Sequence, residues 1–148
     1  MKALIIDDEV LARQRILNLL NEVPQIEVQG EYSNGKTAIN AINSLHPDLV
    51  FLDISMKDMN GFEVLQQVHI SPKPIVVFVT AYDDYAIRAF DVDAFDFLLK
   101  PFRDERFFKT IQKVLNTTKV EAEKNFENRI RELFSLFAGN LEKKGTPK

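Results

Sequence analysis

Short apolar runs alternate along the chain with longer stretches in which apolar residues recur every three or four positions. The short runs have the length of β-strands and occupy residues 3–6, 26–32, 49–52, 75–79 and 95–99. The stretches with helical spacing occupy residues 11–21, 34–45, 61–68, 82–90 and 104–115. Because strand and helix patterns alternate, the sequence predicts five βα units that build one parallel sheet.

The predicted third and fourth strands are apolar at every position. Residues 49–52 read LVFL and residues 75–79 read IVVFV, with no polar alternation. Strands of this kind are buried on both faces, so helices are expected on both sides of the sheet. The fold class predicted is therefore α/β, a doubly wound five-stranded parallel sheet of flavodoxin-like order 2-1-3-4-5. In such sheets ligands bind at the carboxyl ends of the strands, near the point where the strand order reverses.

The character of the sequence changes after residue 118. Residues 119–144 are rich in charge and carry one apolar stripe at helical spacing, formed by Phe126, Ile130, Leu133, Phe134, Phe137 and Leu141. We divide the chain into a domain at 1–118 and a helical linker or dimerisation extension at 119–148. The stripe predicts either a seam between two copies of the chain, which we favour, or a helix docked on its own domain.

Composition narrows the range of functions. The chain has 148 residues, of which 45% are hydrophobic, enough for one domain with a sizeable core. Its net charge of −3 makes this segment by itself a poor nucleic-acid binder. The absence of cysteine excludes disulfides and thiolate metal sites. With no cleavable leader and no apolar run near the ~18 residues of a membrane span, a cytoplasmic location without membrane contact is expected.

Chemically distinctive residues stand at the ends of four predicted strands. The acidic triplet 7–9 (DDE) follows the first strand, and Asp53 follows the third. Neighbouring carboxylates repel one another, and a hard divalent cation with oxygen ligands relieves that repulsion. Thr80 follows the fourth strand and Lys100 follows the fifth. Each residue alone could be a helix cap or a surface side chain, but together they supply what is needed to hold a transferring phosphoryl group.

The chain resembles the response-regulator receiver domains of bacterial two-component systems over about residues 1–118. The matching motifs are residues 5–9 (IIDDE), 49–56 (LVFLDISM) with Gly61, 79–81 (VTA) and 98–102 (LLKPF). Residues 80–90 and 96–102 are similar to the subgroup that is joined to LytTR-type DNA-binding domains, and such an output domain is absent from this chain.

The resemblance implies the acceptor and the metal ligands. Asp53 would accept a phosphoryl group from a sensor histidine kinase or a small phosphodonor. Mg²⁺ would be held by the side chains of Asp8 and Asp53, by the backbone carbonyl of Ser55 and, through a water molecule, by Asp7.

The resemblance also implies the switch. Lys100 would pair with one phosphoryl oxygen, and the peptide bond between Lys100 and Pro101 would be cis. Thr80, expected to be an uncommitted donor, would move to another oxygen, and Phe97 would turn inward to fill the space. Two departures stand out: Lys57 replaces a common proline, which would loosen the acceptor loop, and Phe97 replaces a commoner tyrosine.

The partners implied are a sensor histidine kinase, a second copy of the chain and, only through an output domain, DNA. The expected dimer face comprises the fourth predicted helix, the fifth strand and the fifth helix. Charges that could pair across a two-fold axis are Asp93, Asp96, Arg106, Lys109 and Lys113.

Three alternatives remain open. The chain could be a stand-alone receiver that acts by protein–protein contact. A haloacid-dehalogenase-like phosphatase also uses an Asp nucleophile with Mg²⁺, but it requires a second Asp where this chain has Ser55. A flavodoxin-like cofactor binder needs a phosphate cradle after the first strand, where residues 7–9 would repel phosphate.

Overall fold

The structure is a computed structural model that describes residues 1–81, 96–117 and 130–136. Within these ranges no helix is both long enough and apolar enough to cross a membrane. The strands and helices, in chain order, are β1 (Lys2–Ile6), α1 (Val10–Leu20), β2 (Glu27–Tyr32), α2 (Gly35–Leu45), β3 (Leu49–Leu52), α3 (Gly61–Gln66), β4 (Ile75–Thr80), β5 (Phe97–Leu99) and α4 (Asp104–Leu115).

The five strands form one sheet in the order β2-β1-β3-β4-β5, and every neighbouring pair is parallel. The predicted fold class and strand order are therefore confirmed. The observed bounds of the first four strands differ from the predicted ones by only one residue at an end. The fourth predicted helix, residues 82–90, lies outside the described residues, so α4 corresponds to the fifth predicted helix.

The core divides into two layers, one on each face of the sheet. Side chains at alternating positions of one strand point to opposite faces, so Leu4 packs on the side of α2 and α3 while Ile5 packs on the side of α1 and α4. The same alternation holds in β3, where Val50 and Phe51 separate in this way. Both faces of the central strands are thus covered, which is why their sequences lack polar positions.

Two asparagines fix the starting points of the helices that border the carboxyl ends of the strands. Asn34 accepts a hydrogen bond from the backbone N–H of Thr37 at the start of α2, at 2.9 Å. Asn60 and Glu63 form a reciprocal capping box at the start of α3. Caps of this kind satisfy backbone donors that the helix itself leaves unpaired.

Residues 130–136, here called the tail segment, are helical and pack against α3. Leu133 is only 2% exposed and belongs to the same core layer as Phe62. The rings of Phe62 and Phe134 meet edge to face, with centroids 5.7 Å apart. Residues 130–136 are therefore docked on their own domain, where Leu133 covers an apolar surface beside α3. The seam between two copies of the chain stays a prediction. The stripe positions 126, 137 and 141 lie outside the described residues.

Candidate functional site

The acidic residues predicted to converge do so. Asp7 and Asp8 follow β1, Asp53 follows β3, and one carboxylate oxygen from each lies within 4.8 Å of the others. The backbone keeps the two strand ends in register, since the N–H of Asp53 donates to the carbonyl of Ile6 at 3.0 Å. Asp7 and Asp53 are 1% and 3% exposed, whereas Asp8 is partly exposed. The arrangement is a carboxylate cluster with one side open to solvent.

Lys100 enters this cluster from the end of β5. Its Nζ lies 2.7 Å from Asp7 Oδ2 and 3.4 Å from Asp53 Oδ2. Its backbone N–H donates to the carbonyl of Thr80 at 2.8 Å, which joins the ends of β4 and β5. The Lys100–Pro101 peptide bond is cis, as expected. The ammonium group therefore contacts both buried carboxylates, and its shorter contact is with Asp7.

The environment of Asp53 raises its pKa above the ordinary value. Burial is the largest cause, and the nearby charge of Asp7 adds to it. The charge of Lys100, the backbone N–H of Ser55 and the hydroxyl of Thr80 act in the opposite direction. These last groups stabilise the charged carboxylate, the form that can act as a nucleophile.

The pKa of Lys100 is also raised. Burial alone would lower it, but this effect is outweighed by the hydrogen bond to Asp7 and by the charges of Asp53, Asp7 and Glu9. The ammonium group is therefore held in its charged form beside the carboxylates.

Thr80 and Phe97 lie farther inside than the sequence suggests. Thr80 is completely buried, and its hydroxyl lies close enough to Asp53 to lower the pKa of that carboxyl. The prediction of an uncommitted donor is therefore wrong, because Thr80 already has an interaction partner. Phe97 is 3% exposed and lies opposite Phe78 in the β4–β5 register. Its carbonyl accepts a hydrogen bond from Arg106 at 3.0 Å. The ring is thus already inside the core.

The acceptor loop, residues 53–60, folds back onto the end of β3. The N–H of Ser55 donates to Asp53 Oδ1 at 3.1 Å, and Ser55 itself is exposed. The N–H of Gly61 donates to the carbonyl of Ile54 at 2.8 Å. A Cβ at Gly61 would lie 2.9 Å from the backbone oxygen of Asp53, so this close approach requires glycine.

Asp58 has contacts that no sequence motif predicts. Its two carboxylate oxygens accept hydrogen bonds from the backbone N–H groups of Gly35 at 2.9 Å and Lys36 at 3.1 Å. The Gly35 bond is the main cause that lowers the pKa of Asp58, helped by the Lys36 bond. The first backbone N–H groups of α2 need hydrogen-bond acceptors, as at the start of any helix. Nothing in the sequence indicates that the loop after β3 supplies one.

The charges proposed to pair across a dimer axis are partly engaged within the chain. Lys113 Nζ lies 2.6 Å from Asp96 Oδ1. Arg106 donates to Thr110 Oγ1 and to the carbonyl of Phe97. These contacts show that acceptors within the chain are available to Lys113 and Arg106, and pairing across a two-fold axis stays a prediction. Asp93 lies outside the described residues.

Comparisons with known proteins agree with this geometry. A protein-family model described as "Response regulator receiver domain" matches residues 3–112. An "Uncharacterized response regulatory protein" of Vibrio cholerae is 50% identical over 119 residues, which are 80% of this chain and 50% of that protein. The "Transcriptional regulatory protein BtsR" of Escherichia coli K12 is 44% identical over 114 residues, covering 77% of this chain and 48% of BtsR. The chain thus spans about half the length of these curated relatives.

Among solved structures, the response regulatory domain of mrkE from Klebsiella pneumoniae is similar, with a TM-score of 0.68 and 34% identity. The match covers 78% of this chain and 95% of that domain. The family model covers well over half of the chain and the same fold recurs in this relative. The chain therefore belongs to the response regulator receiver domain family, as the receiver of a two-component response regulator.

Proposed function

We propose that this chain is a phosphoacceptor switch. Asp53 takes a phosphoryl group from a phosphohistidine of a sensor histidine kinase, or from a small phosphodonor, in a reaction that needs Mg²⁺. The observation that carries the proposal is the meeting of the Asp7, Asp8 and Asp53 carboxylates with the Lys100 ammonium group at one edge of the sheet. The chain would act as a switch that modifies itself, and not as an enzyme that turns over a substrate.

The donor set fits a hard divalent cation. Among the described residues, the three carboxylates within 4.8 Å of one another have one ammonium group, that of Lys100, in contact with them, so they carry more negative than positive charge. Asp8 and Asp53 would bind Mg²⁺ directly, with the Ser55 carbonyl as a third ligand and Asp7 acting through a water molecule. The ion, when bound, would neutralise negative charge on the acceptor and on the incoming phosphoryl group. Because Mg²⁺ keeps several waters, we expect an affinity in the high micromolar to millimolar range.

The remaining groups would orient the acceptor. A carboxylate oxygen of Asp53 would form the new bond to phosphorus while the bond to the leaving group breaks: the P–N bond of phosphohistidine, which releases the histidine, or the P–O bond of acetyl phosphate, which releases acetate. Lys100 would pair with one phosphoryl oxygen, since it already reaches Asp53 Oδ2. Thr80 would transfer its hydroxyl hydrogen bond from Asp53 to a second phosphoryl oxygen. These contacts would stabilise charge where it develops during transfer.

Phosphorylation would then be reported through Thr80 and Phe97. A phosphoryl group adds about −1.5 to −2 charges and three acceptor oxygens. Phe97 is already buried, with only 3% of its surface exposed. Phosphorylation would therefore stabilise this inward position of the ring, by drawing Thr80 away from the loop. The mechanism is a shift between states that both exist without phosphate.

The output proposed is control of transcription by a homodimer. The dimer would use β5, α4 and the fourth predicted helix, and DNA would be contacted only by a LytTR-type domain outside this chain. The similarity to BtsR, which is named a transcriptional regulatory protein, supports this output. A stand-alone receiver acting by protein–protein contact is the alternative.

One experiment separates the proposed function from its competitors. The chain is incubated with acetyl phosphate and Mg²⁺, and both bound phosphoryl groups and released phosphate are measured. One phosphoryl equivalent per chain, held long enough to isolate, supports the switch. Sustained hydrolysis of an ordinary phosphate ester would support a phosphatase, and a bound yellow chromophore would support a flavin protein.

A further inference from the structure

We propose that Asp58 is a positioning residue for the metal and acceptor site. Its carboxylate ties the acceptor loop to the first turn of α2, and this tether holds Asp53 and Ser55 in the arrangement that binds a divalent cation. The inference rests on the proposed function, because it assigns Mg²⁺ to the acidic cluster.

The tether uses both oxygens of one side chain. Asp58 Oδ1 accepts from the N–H of Gly35 at 2.9 Å, and Oδ2 accepts from the N–H of Lys36 at 3.1 Å. These two N–H groups belong to the first turn of α2 and have no acceptor within the helix. A carboxylate is favoured there over a neutral acceptor, because the start of a helix carries partial positive charge. Two hydrogen bonds from consecutive residues also fix the direction of the side chain.

Met59 packs closely against the start of α2. A Cβ at Gly35 would lie less than 3 Å from the Cγ and Sδ atoms of Met59, so a larger residue at position 35 would require the Met59 side chain to move. The loop therefore rests on α2 through an apolar contact beside the two polar ones.

The far end of the loop is fixed beside the acceptor. The N–H of Gly61 donates to the carbonyl of Ile54 at 2.8 Å, and a Cβ at Gly61 would lie 2.9 Å from the backbone oxygen of Asp53. Ser55 and Lys57 lie between this anchor and Asp58. Fixing both ends of a short segment reduces the conformations that the Ser55 carbonyl can adopt.

The first turn of α2 is in turn fixed to the strand that carries Asp7. The N–H of Asp7 donates to the carbonyl of Tyr32, the last residue of β2, at 3.0 Å. Three residues later, α2 begins at Gly35. The Asp58 tether therefore fixes the position of the acceptor loop relative to the carboxylates that follow β1.

The test compares Asp58→Ala with Asn34→Ala in the full 148-residue chain. Asn34 is a matched control because its side chain caps the same helix, and its side-chain hydrogen bonds with the described residues are both with Thr37. Mg²⁺ affinity is measured by titration of amide NMR signals, including that of Ser55, and stability by urea unfolding. Neither measurement requires phosphoryl transfer.

We expect Asp58→Ala to weaken Mg²⁺ binding about 10-fold, the low end of the effect of outer-shell partners. Asn34→Ala should lose stability while its Mg²⁺ affinity stays within about twofold of the wild type. Asp58→Asn, which keeps one acceptor oxygen, should fall between Asp58→Ala and the wild type; it carries the comparison if Asp58→Ala does not fold.

Unchanged Mg²⁺ affinity in both Asp58 variants would overturn the proposal, as would equal losses of affinity in Asp58→Ala and Asn34→Ala. The second result would make Asp58 an ordinary helix cap. Failure of the proposed function looks different. A wild-type chain that binds Mg²⁺ yet takes up no phosphoryl group would refute the switch, while the effect of Asp58 on Mg²⁺ affinity would still support the tether.

Discussion

Replacing Leu133 by alanine tests whether the tail segment is part of its own domain. Leu133 is 2% exposed in the core layer that contains Phe62 and Leu65. Leu136 lies in the same helical segment, three residues further on, and is 45% exposed. The two leucines therefore provide a matched pair in which residue type and helix are the same and only burial differs.

The expected magnitudes follow from that difference. Truncation of a buried leucine costs about 2–5 kcal/mol, because apolar contact is lost and a cavity remains. Here one wall of the cavity is a short helical segment that can relax, so we expect Leu133→Ala to lower the free energy of unfolding by about 2–3 kcal/mol. Leu136→Ala should change it by less than about 0.5 kcal/mol.

Urea unfolding at two protein concentrations measures both the loss and its origin. If the tail segment docks on its own chain, the effect of Leu133→Ala is independent of concentration. If it docks on a second chain, the effect grows with concentration. Equal effects of the two leucine substitutions would refute the docked arrangement.

Sedimentation of a chain cut after Thr118 is a second check: an unchanged monomer–dimer equilibrium would remove the tail from the dimer interface.

Three further predictions concern the site. Asp8→Ala should abolish Mg²⁺-dependent labelling by acetyl phosphate, and labelling that persists in excess chelator would contradict a role for the metal. Thr80→Ala should still accept a phosphoryl group but lose the linked change in dimerisation measured by sedimentation; full coupling in both Thr80→Ala and Phe97→Ala would show that the signal leaves by another route. Because folding lowers the pKa of Asp58, its carboxylate stabilises the fold above its unfolded pKa, near 3.8, and that contribution is lost as the pH falls through the lower folded value. The free energy of unfolding should therefore fall less between about pH 6 and about pH 3 in Asp58→Asn than in the wild type. Parallel plots of unfolding free energy against pH for the two proteins would contradict this.

Strand positions could be predicted because strands that are buried on both faces consist of apolar residues without alternation. Residues 49–52 are apolar without alternation, and in the structure all of them are buried between two helical layers. Their order in the sheet could be predicted only through the general rule for βα units. The tail was different, because one apolar stripe fits both a dimer seam and a docked helix. The position of Leu133 in the core layer beside α3 shows docking for residues 130–136, and the seam stays a prediction.

The site divides in the same way. Asp7, Asp53, Thr80 and Lys100 could be found because each stands at a strand end, and parallel strands end at one edge. The individual contacts of these residues could not be predicted, because such contacts depend on differences of a few ångströms in side-chain position. Lys100 lies nearer to Asp7 than to the acceptor, and the Thr80 hydroxyl is already engaged. The bonds from Asp58 to α2 join segments that no periodic pattern relates.

The most direct test of the central claim is to locate the phosphoryl group. The wild-type chain and Asp53→Asn are treated with acetyl phosphate and Mg²⁺, their intact masses are measured, and the acyl phosphate is trapped by borohydride reduction before peptide sequencing by mass spectrometry. We predict one phosphoryl group per wild-type chain, with the reduced residue at position 53, and none on a folded Asp53→Asn. Modification at another residue, or equal labelling of both proteins, would contradict the assignment of Asp53 as the acceptor.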